Sequence, residues 1–136
     1  MEPAANNKIK LLVVEDDEFL QKILVTKFTR EGFDVASASD GEQALKEVND
    51  GAPQLILLDL ILPKMTGFDV LAEIRMKEST KGLPVIILSN LGQEEDIRRA
   101  KELGALDFLV KADISVNDVV RKVKEILAKH LNEKAA

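Results

Sequence analysis

The chain has 136 residues, 46% of them apolar and 32% charged, which fits one ordinary soluble domain with a core that needs no staples. It has no cysteine and a single histidine, His130, which excludes disulfides, thiolate chemistry and multi-histidine metal sites. Acids exceed bases by 24 to 19, a net charge of -5, which speaks against a broadly basic nucleic-acid surface.

Met1–Asn7 is short and polar, carries no signal core and is expected to be disordered. The first strand-like run is Ile9–Val14, followed by a helix whose apolar stripe is Phe19, Leu20, Ile23, Leu24 and Phe28, stopped by Gly32. Val35–Ala38 is the second run. Asp40 with Gln43 resembles a capping box that opens a second helix through Ala44, Leu45 and Val48. Leu55–Leu58 is the third run, and Thr66 caps a third helix carrying Phe68, Leu71 and Ile74. Val85–Leu88 is the fourth. The helix after it, about Gln93 to Leu103, has sparse apolar positions (Ile97, Ala100, Leu103) and is expected to be the most loosely held. Phe108–Val110 is the fifth run. The last helix starts near Ser115 and carries Val116, Val119, Val120, Val123, Ile126, Leu127 and Leu131. Residues 132–136 are expected to form a frayed tail, leaving 8–131 as the domain.

Five strand–helix units in alternation predict an α/β fold, a (βα)5 doubly wound, five-stranded parallel sheet with right-handed crossovers. No apolar run approaches the roughly 20 residues of a membrane helix, so the expectation is a cytoplasmic protein with no membrane contact.

In open sheets of this kind the site lies at the carboxyl ends of the strands. There the sequence places Glu15, Asp16 and Asp17 after the first run, Asp59 after the third, Ser89 and Asn90 after the fourth, and Lys111 after the fifth. Two carboxylates about 4 Å apart repel by about 4 kcal/mol at an effective dielectric near 20, so a cluster of them takes up protons or binds a cation. All-oxygen ligands suit Mg²⁺. The first loop is acidic and lacks the glycines of a dinucleotide site, and no G-x-x-x-x-G-K-[ST] run exists. Asp59 follows the all-apolar run Leu55–Leu58. A carboxylate beside a divalent cation is a nucleophile toward phosphorus, with Lys111 and Ser89 placed to meet the charge of the transferring group.

These residues together resemble the receiver domain of bacterial two-component response regulators. Lys10-Leu-Leu-Val-Val-Glu-Asp-Asp-Glu18 is similar to the family's first strand and acidic loop. Leu55-Ile-Leu-Leu-Asp-Leu-Ile-Leu-Pro-Lys-Met-Thr-Gly-Phe-Asp69 is similar to its phosphoacceptor strand and loop. Pro84–Ser89 and Gly104–Lys111 are similar to its last two strands. The resemblance covers residues 8–131 and is closest in kind to a stand-alone, chemotaxis-type receiver, with no output module expected after residue 136. It implies the flavodoxin-like strand order 2-1-3-4-5. It implies that Asp59 accepts a phosphoryl group from the phosphohistidine of a sensor histidine kinase or phosphotransfer protein. It further implies that Asp16, Asp59 and the Ile61 backbone carbonyl ligate Mg²⁺ with Glu15 assisting, and that Ser89 and Lys111 contact the phosphoryl group. Phe108 takes the place of the switch aromatic, with core packing as its alternative role. The signal would pass to an unidentified protein target through the face of the fourth helix, fifth strand and fifth helix, not to nucleic acid. Asp107 and Arg121 match positions of cross-dimer salt bridges in one subfamily, so a homodimer on phosphorylation is expected from them, with solvated charges as the alternative.

The sequence departs from the family at Ala112, where proline is usual after the lysine. Either a trans bond with an altered loop or a strained cis bond follows, the latter costing roughly 2.5–4 kcal/mol. Asn90 replaces a small residue and is expected to narrow access to Asp59. Ile61 and Leu91 are apolar where the family tunes hydrolysis, so a long-lived phosphoryl group is expected. Two other readings compete: an aspartyl phosphatase, which Glu15–Glu18 fits poorly because it lacks a D-x-D nucleophile, and a docking-only pseudo-receiver, against which the intact Asp16, Asp59, Ser89 and Lys111 argue.

Overall fold

The computed structural model describes residues 8–135. Along the chain run β1 (Lys10–Val14), α1 (Glu18–Arg30), β2 (Asp34–Ala38), α2 (Gly41–Gly51), β3 (Leu55–Leu58), α3 (Gly67–Met76), β4 (Val85–Ser89), α4 (Glu94–Glu102), β5 (Asp107–Val110), a 3-10 turn (Lys111–Asp113) and α5 (Val116–Ala135). All strand pairings are parallel, in the order β2-β1-β3-β4-β5, as the alternation and the resemblance imply. The three central strands are apolar because both faces of the sheet are covered.

Strand periodicity splits the core in two. Leu12, Val14, Ile56, Leu58, Val85 and Ile87 point to the face covered by α2, α3 and α4. Leu11, Val13, Leu55, Leu57, Ile86 and Leu88 point to the face covered by α1 and α5. On that second face Phe28 is wholly buried and meets Phe33 edge to face, ring centroids 5.3 Å apart.

The helix starts follow side-chain chemistry. Asp17 accepts from the Phe19 and Leu20 amides. Thr66 and Asp69 form a reciprocal capping box at α3. At α2 only half of the expected box exists: Asp40 accepts from the Gln43 amide, but Gln43 turns to the amide of Ser39. Gly32 ends α1 at φ +96°, a conformation that favours glycine.

Three further expectations change, at Phe19, at Leu131 and in the tail after it. Phe19 is exposed, not part of the α1 stripe. It lies in the first turn, on the flank shared with Ile23 and Lys27, which are only half-buried. Leu131 is exposed too, and α5 continues through 132–135, where good helix formers follow without a breaker, instead of ending in a tail. Residues 1–7 and Ala136 lie outside the described part. The fourth helix buries only Ala100, as its sparse pattern implies, yet polar links add to its hold. Arg75 of α3 donates to the carbonyls of Leu103 and Gly104 at its carboxyl end and to those of Lys81 and Leu83, and the Arg99 guanidinium lies 4.1 Å from the centre of the Phe68 ring. The Lys111–Ala112 bond is trans, since no cis peptide occurs among the described residues, and the altered loop is the 3-10 turn.

Truncating Phe28 to alanine removes a ring with no solvent exposure, so Phe28→Ala is expected to cost about 3–5 kcal/mol in urea unfolding. A loss below about 1 kcal/mol would contradict this packing.

Candidate functional site

The parallel sheet delivers its strand ends to one edge. The three acids after β1 part company there. Glu15 is buried and hydrogen-bonds the Asp17 amide, Asp16 is exposed, and Asp17 is spent as the cap of α1. Gln21, one turn into α1, fastens this loop: its side-chain amide donates to the carbonyls of Glu15 and Ala38 and to the Ser39 hydroxyl. Nothing in the sequence marks Gln21 apart from a polar residue on a half-buried helix flank.

Asp59 emerges buried from β3. The Ser89 hydroxyl donates to its Oδ1 at 2.7 Å, the Ile61 amide donates to the same oxygen at 3.1 Å, and the Lys111 ammonium donates to Oδ2 at 2.6 Å. Gly67 makes room for this: a Cβ there would collide with the backbone of Asp59 and Leu60. Ser89 is wholly buried and pairs with Val110 in the last register step of β4 and β5, which brings Lys111 out beside it.

Lys111 answers two acids. Its Nζ lies 2.7 Å from Glu15 Oε1 and 2.6 Å from Asp59 Oδ2. Carboxylate oxygens of Glu15, Asp16 and Asp59 all fall within 4.8 Å of one another. With all four groups ionised, three carboxylates and one ammonium leave a net charge of -2, and the donor set is oxygen only. That charge and chemistry fit a hard divalent cation such as Mg²⁺. Burial pushes the Glu15 carboxyl above its ordinary value of 4.5, against the lowering effect of Lys111 and the Asp17 amide. Burial alone would lower the Lys111 ammonium, but its bonds to Asp59 and Glu15 outweigh this and raise it above 10.5.

Residues 11–124 match the response regulator receiver domain. The chain belongs to this family. Among curated relatives, the alkaline phosphatase synthesis transcriptional regulatory protein PhoP of Bacillus subtilis is 39% identical over 118 residues, covering 87% of this chain and 48% of that protein. The transcriptional regulatory protein CpxR of Klebsiella pneumoniae is 41% identical over 118 residues, covering 87% and 49%. This chain therefore spans about half the length of the curated relatives it matches. Among solved structures, a Francisella response regulator receiver domain superposes with a TM-score of 0.80 at 29% identity, covering 90% of this chain and 99% of that one. A CheY-like receiver domain protein from Methanospirillum hungatei gives 0.84 at 23% identity, covering 93% and 99%, and shares the fold. This receiver domain thus has the phosphoacceptor-switch architecture of two-component signalling. No helix among its described residues is long and apolar enough to cross a membrane.

The remaining candidates fall as follows. Phe108 lies on β5 opposite Ile87, half-buried against the α2–α4 face of the core. Asp107 Oδ1 accepts from the Phe108 amide at 2.7 Å, and Arg121 pairs within its own helix with Asp118 at 3.2 Å and Glu125 at 3.1 Å. Asn90 is exposed, and its Oδ1 accepts from the Ala112 amide at 3.0 Å.

Lys111→Met would leave two buried carboxylates without their cation, at an expected cost of about 3 kcal/mol in Mg²⁺-free buffer at pH 8, the low end for a broken buried pair because Lys111 keeps some solvent. The raised Glu15 value sets the sign: its contribution is fullest below 4.5 and falls as pH rises through the raised folded value, while that of Lys111 is full below 10.5 and falls as pH rises past it. The penalty of Lys111→Met should therefore shrink toward pH 4.5 and on adding Mg²⁺. Thermal melts with a penalty independent of both would contradict the arrangement.

Proposed function

We propose that the chain is a phosphorylation-dependent signalling switch in which Asp59 is the phosphoacceptor. The observation that carries this reading is the convergence of Lys111 and Ser89 on the two carboxylate oxygens of Asp59 beside Glu15 and Asp16. An Asp59 oxygen attacks the phosphorus of a kinase or phosphotransfer-protein phosphohistidine. The P–O bond forms as the P–N bond breaks, and the imidazole leaves and keeps a proton.

Asp16, Asp59 and the Ile61 carbonyl would hold Mg²⁺, with Glu15 assisting. Bound there, the ion would offset charge on the transferring group. The Lys111 ammonium and Ser89 hydroxyl, which now satisfy Asp59, would turn to the oxygens of the new acyl phosphate. Movement of Ser89 frees space for Phe108, which would rotate inward and alter the face of α4, β5 and α5. Helix α4 suits this role: it buries only Ala100, and Arg75 anchors its carboxyl end. The downstream target is read as a protein. The curated relatives named as transcriptional regulators are about twice as long, so any DNA output belongs to sequence beyond what this chain matches. A homodimer through Asp107 and Arg121 would require Arg121 to leave its intrahelical partners. The chain promotes its own phosphoryl transfer and slow dephosphorylation and is not an enzyme with turnover of small substrates.

Incubation with acetyl phosphate and Mg²⁺ should add one phosphoryl group by intact mass, and Asp59→Asn should abolish it. Rapid turnover of small phosphate esters would favour a phosphatase, and no labelling under any donor would favour a docking-only protein. Ile61 is 53% exposed and Leu91 half-buried, two residues beyond Asp59 and Ser89, where apolar side chains keep attacking water away. Ile61→Asn should shorten the phosphoryl half-life severalfold, and an unchanged dephosphorylation rate would contradict the shielding role.

A further inference from the structure

We propose that Asn90 is a positioning residue for the Asp59 site, which holds Lys111 and Ser89 in register through its bond to the Ala112 amide. This rests on the reading of Asp59 as phosphoacceptor.

The sheet supplies no bond where one is needed. Ser89 opposite Val110 is the last register step between β4 and β5. Beyond it the two chains leave the sheet side by side, and their next residues are Asn90 and Lys111. Lys111 opens a 3-10 turn, whose first amides lack a partner within the turn. The Asn90 side chain takes one of them: its Oδ1 accepts from the Ala112 N–H at 3.0 Å. A side chain thus continues the β4–β5 pairing one step past the sheet. The loop also lies close against β5, since a Cβ on Gly92 would come within 3.2 Å of the Val110 side chain.

The position of this bond gives it consequence. It joins the residue after Ser89 to the residue after Lys111, and those two side chains hold opposite oxygens of Asp59 at 2.7 and 2.6 Å. Lys111 follows the edge strand β5, which has β4 on one side and no strand on the other among the described residues. Its ammonium must nevertheless reach Asp59 across β4 and Glu15 across β4 and β3. Freedom in the backbone at 111–112 is passed to the end of a long side chain, and the Asn90 bond removes part of that freedom. The bond depends on the residue at 112 having an N–H, which a proline would lack.

The test uses the full chain. In Asn90→Ala the Ala112 amide should exchange with solvent faster, and the maximal labelling rate with acetyl phosphate at saturating Mg²⁺ should fall about three- to tenfold, the range set by loss of one ordinary hydrogen bond. Melting temperature should fall by no more than a few degrees and Mg²⁺ affinity should stay unchanged, which separates a positioning role from a folding defect. Asn90→Asp keeps the acceptor oxygen and should retain slow exchange at Ala112. In an Ala112→Pro background, Asn90→Ala should have no further effect on the rate. A wild-type protein that labels normally beside an Asn90→Ala variant of equal rate would overturn this inference alone, as would an equal loss on Asn90→Ala with proline at 112. A wild-type protein that takes no label would overturn the phosphoacceptor reading and this inference with it.

Discussion

The Lys111 ammonium, bonded at once to Glu15 and Asp59, is the interaction on which the rest of the site depends. Two buried carboxylates on neighbouring strands repel strongly and lose hydration, and without a cation they would be protonated or pushed apart. The strand order sets the difficulty. Lys111 leaves β5 and Asp59 leaves β3, with β4 between them. Neighbouring strands are about 4.8 Å apart, so the cation must bridge about 10 Å between strand axes. Only a long side chain does this, and it does so over a small residue on β4. Ser89 meets that need and adds a hydroxyl to Asp59. Lysine at one strand end and serine at the next are therefore two parts of one steric and electrostatic solution.

The same cluster accounts for the proposed reactivity of the site. One ammonium does not neutralise three acids, and the remaining negative charge lies at an open edge where Asp16 is exposed. At that edge Asp59 accepts hydrogen bonds from Lys111, Ser89 and the Ile61 amide. An arrangement that fully satisfied its acids internally would have nothing left to offer a cation or a phosphoryl group.

Much of this was legible in the sequence. The all-apolar run Leu55–Leu58 ending in Asp59 announces a buried strand that delivers a carboxylate, and the alternation of runs and stripes yields the sheet. What pattern could not divide is the row Glu15-Asp16-Asp17. Three adjacent acids look alike in sequence, but chain direction buries the first, exposes the second and spends the third on a helix cap. Phe19 and Leu131 were misplaced because periodicity assigns a face without knowing where the covering sheet stops. The links made by Gln21, Arg75 and Asn90 escaped for another reason. Each is a polar side chain bonding a backbone group more than a dozen residues away in sequence, and such bonds leave no periodic trace.

The central claim is that, of the carboxylates gathered at this edge, Asp59 alone becomes the acyl phosphate. The most direct measurement is reductive trapping: treat the protein with acetyl phosphate and Mg²⁺, reduce the acyl phosphate with borohydride to a homoserine, and locate that residue by peptide mass spectrometry. The account predicts homoserine at position 59 and at no other acid. Homoserine at position 16, the corresponding five-carbon alcohol, 2-amino-5-hydroxypentanoic acid, at Glu15, or no reduced residue in a protein shown to carry phosphate, would contradict it.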